Sequence, residues 1–188
     1  MNLQSKYPTT ADEFLRWNEG REGKREFVRG TVVEMMINVT RNHARIATNL
    51  ILALGKRLDI AAMDIGSADF GVKTPDGVRF PDVFVDRISP ETKGSDLSAT
   101  HPLFLAEILS PSSHGRDFVE KLADYTGVPS LLHYLILSQD EPRIWLWSRD
   151  MNGEWTGPQE VFGPDEAIVL GGLQVTLELS ELYAGVKG

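Results

Sequence analysis

The chain of 188 residues contains no cysteine. A disulfide scaffold, a thiol nucleophile and a thiolate-ligated zinc or iron–sulfur site are therefore excluded. Long apolar runs are also missing. The longest unbroken one covers residues 50–54, far short of the roughly 20 residues a membrane helix needs. No basic segment leads into an apolar stretch at the N-terminus, so no secretion leader and no membrane partner are expected. The default location is the cytoplasm. Positive charge is scarce: 19 lysines and arginines stand against 27 acidic residues, a formal net charge of −8. That excludes a polycation wrapping nucleic acid through bulk charge. A local basic face or a bound divalent ion stays open as a route to nucleic acid. There is no internal repeat and no low-complexity segment.

What is present is the composition of a folded chain. Hydrophobic residues make up 41% of it, and the mean hydropathy is −0.19. A mass of 20.9 kDa favours a single domain over residues 1–188, large enough to bury a core without staples.

The pattern along the chain alternates helix and strand. Thr10 with Glu13 three residues later fits a capping box ahead of Phe14 and Trp17. Residues 25–36 read as a hairpin turning at Arg29-Gly30. Ile46, Leu50, Leu54 and Leu58 recur every four residues, which predicts a helix over 43–58 capped by Thr40 or Asn42. His43 falls in its first turn. Residues 60–69 and 71–73 read as one kinked strand. Thr74-Pro75-Asp76-Gly77 is a turn, and 79–85 is a strand with Pro81 at an edge or entry position. Residues 87–100 read as a mobile surface loop, a place where specificity would lie. Residues 103–109 form a nearly continuous apolar run, as in a central strand covered on both faces. Residues 111–115 are a turn, 117–125 a short helix, 131–137 and 143–147 further strands. Strand, helix, strand over 103–137 outlines a parallel crossover. The tail reads as short strands with a last helical turn at 179–183.

Three charged residues stand out. Glu107 interrupts the apolar run, and a carboxylate there is costly unless it is paired, hydrogen-bonded or bound to a cation. Facing water at a strand end is its ordinary alternative. Asp82 follows Pro81 and precedes Val83, Phe84 and Val85. Two carboxylates on neighbouring strand ends suit a hard divalent ion, Mg2+ or Mn2+, which needs few protein ligands. Lys121 lies on the helix after the Glu107 strand, within reach of that strand end, and is otherwise an ordinary surface lysine. Glu26 and His43 form a second tier. Glu26 is a candidate third carboxylate or water-orienting group, and His43 a candidate phosphate contact or a packing residue. Tyr125 reads as core. Trp145 and Trp147 share one strand face, as core, as a dimer contact or as a base-stacking platform.

Taken in order, several short motifs resemble the Uma2 family of restriction-endonuclease-like proteins. They are Thr10-Ala11-Asp12-Glu13-Phe14-Leu15, then Arg25-Glu26-Phe27-Val28-Arg29-Gly30 with Val32-Val33-Glu34-Met35, His43 and Pro81-Asp82-Val83. Ala106-Glu107-Ile108-Leu109-Ser110-Pro111-Ser112-Ser113 follows, then Asp117, Lys121, Tyr125 and Gly127-Val128-Pro129. The resemblance spans about residues 9–148. It implies an α/β restriction-endonuclease-like core of the PD-(D/E)xK type, a mixed β-sheet flanked by helices with the metal site at the strand ends. Asp82 and Glu107 would be the metal carboxylates, Lys121 the catalytic lysine, Glu26 an additional acid and His43 the family's histidine. The chain departs from the plain nuclease pattern at Leu109, where a strand lysine is expected, its place being taken by Lys121 as is usual in this family. Met36-Ile37-Asn38-Val39 lacks the usual Ser and Pro, and Leu132-His133-Tyr134 replaces a Tyr-Trp pair.

The implied function is metal-dependent endonuclease cleavage of DNA phosphodiesters. The alternative is a non-catalytic nuclease-like protein that binds DNA or a protein partner. A purely structural oligomer is a third reading. Four tryptophans, the apolar strands and the habit of the nuclease fold point to a homodimer.

Overall fold

Apolar residues and one carboxylate make up β8 (Pro102–Leu109), as its apolar run predicts. It lies inside a six-stranded sheet in a computed structural model that describes residues 7–35, 38–109 and 116–187. The chain leaves β8, passes through α3 (Arg116–Thr126) and returns as β9 (His133–Ser138), parallel to β8. This is the expected crossover. The turn expected at 111–115 lies outside the described residues. From β9 the sheet continues antiparallel into β10 (Arg143–Arg149) and β11 (Trp155–Phe162). On the other side it continues into β6 (Val83–Arg87) and β3 (Met63–Ser67). One parallel pair among antiparallel ones makes the sheet mixed.

Helix α2 (Arg41–Gly55) covers one face. Its four-residue period buries Ile46, Leu50 and Leu54 completely, against Val83, Val85, Phe104, Ala106 and Ile108. Each such side chain contributes roughly 2 kcal/mol by leaving water. The same core takes in the hairpin β12 (Ala167–Leu170) and β13 (Val175–Glu178) and the terminal turn α4 (Leu179–Leu182). Alternation puts Phe84, Leu105, Tyr134, Ile136 and Trp147 on the opposite face, packed with Tyr125 and Val128. Trp145 packs against this same cluster, so both strand tryptophans serve as core.

A second sheet, five-stranded, is not legible in the sequence pattern. Its order is β2 (Thr31–Met35), β1 (Lys24–Val28), β5 (Gly77–Arg79), β4 (Gly71–Thr74) and β7 (Ser98–Ala99). The expected hairpin turn holds: Arg29 and Gly30 both take positive φ, at 47° and 80°, the primed geometry that matches strand twist. Helix α1 (Ala11–Asn18) closes this sheet with Phe14 and Leu15 against Phe27 and Val78.

Two expected strands are each divided. Residues 60–73 are not one kinked strand, because β3 joins the six-stranded sheet and β4 the five-stranded one. Residues 79–85 are likewise cut. Pro81 has no amide hydrogen for a ladder, so β5 ends at Arg79 and β6 starts at Val83. Phe80, Pro81 and Asp82 thus form the corner where the chain passes between sheets. The loop over 87–100 ends tethered: the buried Asp86 carboxylate accepts the Thr100 and His101 amides at 3.0 and 2.7 Å.

Candidate active site

The corner and the carboxyl-terminal half of β8 bring the two strand-end carboxylates together. The β6–β8 register pairs Val83 with Ala106, so Asp82 and Glu107 are the next residues along the two chains. The Ile108 amide donates to Asp82 Oδ2 at 2.8 Å, which fixes that carboxylate to β8. His43, in the first turn of α2, brings its Nε2 to 3.2 Å from Asp82 Oδ1. Thr40 caps the helix and accepts the His43 amide at 3.1 Å, as one of the two expected caps.

Helix α3 supplies the other half. Lys121 Nζ donates to Glu107 Oε1 at 2.9 Å, and the Tyr125 hydroxyl donates to the same oxygen at 2.9 Å. One helical turn separates the two donors, so one face of α3 presents both. Glu26, on β1, lies with Oε1 3.8 Å from Lys121 Nζ. All five expected site residues line one cavity of about 870 Å³: Glu26, His43, Asp82, Glu107 and Lys121.

Electrostatics sets the two carboxyls apart. Glu107 is only 9% exposed. Burial, helped by the like charges of Asp82 and Glu26 and opposed by Lys121, pushes it up to about 7. Burial alone would raise Asp82 as well. The His43 contact, the Ile108 amide and the charge of Lys121 outweigh it and hold Asp82 below its ordinary value. Burial would lower the Lys121 ammonium, but Glu107, Glu26 and Asp82 outweigh it and hold the group well above its ordinary range. Neighbouring acids driven in opposite directions are typical of sites that handle protons or cations.

Two charged residues at the site are not marked out by the sequence pattern. Arg79 and Asp124 are buried and ion-paired, with Arg79 bridging Glu26 and Asp124 at 2.6 Å each. A charge inside Val78-Arg79-Phe80, and an acid one turn after Lys121, are the available signals. Tyr125 is fully buried, as its core reading expects, but its hydroxyl also bonds to Glu107.

Glu26 and Asp124 are paired with Arg79 and Glu107 with Lys121, while Asp82 meets His43 and the Ile108 amide. Hard oxygen donors of this kind suit a divalent cation. Among the described residues no group of three or more His, Asp or Glu side chains is arranged to hold a metal ion. Asp82 and Glu107 remain as a pair, which is enough for an ion that keeps most of its waters.

The described residues also contain no helix long and apolar enough to cross a membrane. Comparison with known proteins accords with the fold. Two uncharacterized proteins of Synechocystis sp. are similar. One is 29% identical over 146 residues, covering 77% of this chain and 76% of its own length. The other is 28% identical over 149 residues, covering 78% and 84%. A solved structure from Anabaena variabilis, described as a putative nuclease belonging to DUF820, superposes with a TM-score of 0.72 at 18% identity. That match covers 96% of this chain and all of the other, and it shows a shared restriction-endonuclease-like architecture. The model of the Uma2 family, described as a putative restriction endonuclease, matches residues 11–180. With that match spanning nearly the whole chain, the protein belongs to the Uma2 family.

Proposed function

We propose that the chain hydrolyses DNA phosphodiester bonds at this cavity with a bound Mg2+ or Mn2+ ion. The observation that carries the reading is that Asp82, held to β8 by the Ile108 amide, and Glu107, with the Lys121 ammonium at 2.9 Å, line a single cavity. Asp82 and Glu107 would hold the ion. Bound there, it would supply Lewis acidity to a phosphodiester oxygen and acidify water at the site. Lys121 keeps a proton and a full positive charge beside Glu107, where it can orient water and stabilise charge developing on phosphate. His43 fixes the direction of Asp82, and Glu26 stands behind Lys121.

The test is plasmid cleavage with Mg2+ or Mn2+, repeated with Asp82→Ala, Glu107→Gln and Lys121→Ala. Either carboxylate change is expected to abolish cleavage and weaken metal binding measured by calorimetry. Lys121→Ala is expected to keep metal binding while lowering turnover about 100-fold, as loss of one transition-state donor does. A folded parent protein that leaves plasmid intact under all these conditions would overturn the reading. The net charge of −8 favours the alternative in that event, a non-catalytic nuclease-like protein that binds DNA or a protein partner.

The homodimer belongs to the same proposal, since a second protomer would widen a cleft that one chain keeps small. Light scattering is expected to give about twice the monomer mass of 20.9 kDa. A mass of one chain across a broad concentration range would remove the dimer.

A further inference from the structure

Glu26, which lines the cavity, is bonded to a buried ion pair that the proposed chemistry does not use. Arg79 closes β5 and is 7% exposed. Its Nη1 donates to Glu26 Oε2 at 2.6 Å, and its Nε and Nη2 both donate to Asp124 Oδ2, at 2.9 and 2.6 Å. Strands β1 and β5 and helix α3 therefore meet at one guanidinium. Burying such groups costs several kcal/mol per ion, and apolar residues of similar volume often serve stability as well or better. Stability alone does not account for this cluster.

The geometry around Lys121 does. Its ammonium lies between two carboxylates, 2.9 Å from Glu107 and 3.8 Å from Glu26. The two compete for the same charge. Arg79 occupies one oxygen of Glu26, and the Phe80 amide approaches the other at 3.4 Å. Asp124 ties the same guanidinium to α3, one turn beyond Lys121. One group thus sets both the helix position and the pull of Glu26.

Resting on the function proposed above, we infer that Arg79, clamped by Asp124, is a positioning residue that holds and neutralises Glu26 so that Lys121 pairs with Glu107. Glu26 is then a restrained competitor for the ammonium.

A double variant carrying Arg79→Met and Asp124→Leu removes the clamp with no change in net charge and leaves Glu26 uncompensated. Lys121 then moves to Glu26. Turnover is expected to fall about tenfold with KM for DNA unchanged, the pattern of a loss confined to the transition state. The second readout needs no activity: a crystal structure of the double variant. The Lys121 ammonium, 2.9 Å from Glu107 and 3.8 Å from Glu26 in the parent, is expected in the double variant to lie nearer Glu26 than Glu107. Simple loosening of the fold would leave Lys121 without a fixed partner.

Adding Glu26→Gln to the double variant removes the competitor, and both turnover and the Lys121–Glu107 contact are expected to return toward the parent state. A Lys121 that stays on Glu107 in the double variant, or no recovery in a folded triple variant, would overturn the inference. If the double variant does not fold, Arg79→Lys with and without Glu26→Gln carries the same comparison, since a lysine cannot make the forked contact. A parent that cleaves nothing sinks the nuclease reading, and the position of Lys121 still decides the role of Arg79.

Discussion

His133 opens β9 with its side chain 3% exposed. Its Nδ1 meets the Ser148 hydroxyl at 2.9 Å, and its Nε2 is buried with no hydrogen-bond partner among the described residues. Burial alone lowers the ring to about 4 from an ordinary 6.5. The unfolded chain therefore takes up a proton near pH 6.5 that the folded chain refuses until about pH 4. The stability this neutral ring allows is present above pH 6.5 and is lost as pH falls toward 4. The full loss is roughly 3 kcal/mol, since each pH unit between those two values is worth about 1.4 kcal/mol. The raised Glu107 acts in the opposite sense over the same range, so the readout is the difference in urea unfolding between parent and His133→Gln, expected to change by roughly 2–3 kcal/mol between pH 7.5 and 4.5. Equal slopes in both proteins would refute the assignment. Other single residues differ in how plainly the sequence shows them. Glu107 is visible because its neighbours are all apolar, and its cost has to be met. Arg79 and Asp124 are not, because each looks like a surface charge until β5 and α3 are brought together across residues far apart in the chain.

The same distinction governs the elements. Helix α2 is legible because its period and its cap are local. Thr40 carries more than the cap. Its hydroxyl accepts the His43 amide and donates to Gln139 Oε1 at 2.6 Å, tying the helix start to the end of β9. Thr40→Ala is expected to cost about 1–2 kcal/mol in chemical denaturation, while Thr40→Ser stays near the parent. An effect below the error of the melt would show that the cap is dispensable. The division of residues 60–73 is not legible, because a two-residue period reveals a strand and not its sheet. Which ladder β4 joins depends on β5, and β5 in turn pairs with β1 through Phe27 and Val78. Gly77 permits that approach, since a Cβ there would collide with the Phe27 carbonyl. Pro81 reads as an edge or entry residue, and its missing amide is why one expected strand becomes two with Asp82 at the corner. The candidate site is therefore more legible than the architecture that assembles it. Its five residues each break a local pattern or sit in a family motif, whereas the second sheet is built from long-range pairings.

At the scale of the whole molecule, charge opposes the proposed substrate. The chain carries −8, and the cavity gathers more carboxylates than cations. At physiological ionic strength charges act over about 8 Å, so the local balance at the cavity governs DNA approach, with the overall charge adding repulsion at low salt. An ordinary basic DNA binder gains affinity steeply as salt is lowered, through released counterions. This protein is expected to behave otherwise. In EDTA a labelled oligonucleotide should bind weakly, and lowering the salt should help little. A divalent ion held by Asp82 and Glu107 would cancel the surplus negative charge of the site. Ca2+, which accepts the same oxygen ligands, is expected to strengthen binding at least about tenfold, the effect of roughly 1.4 kcal/mol of added attraction. Asp82→Asn combined with Glu107→Gln removes the two repelling charges, so binding should become insensitive to Ca2+ and rise above the parent level in EDTA. Fluorescence anisotropy across a salt series measures each of these. Tight binding in EDTA with a steep salt slope would mean that a basic surface elsewhere on the protein, and not the carboxylate cavity, meets the DNA.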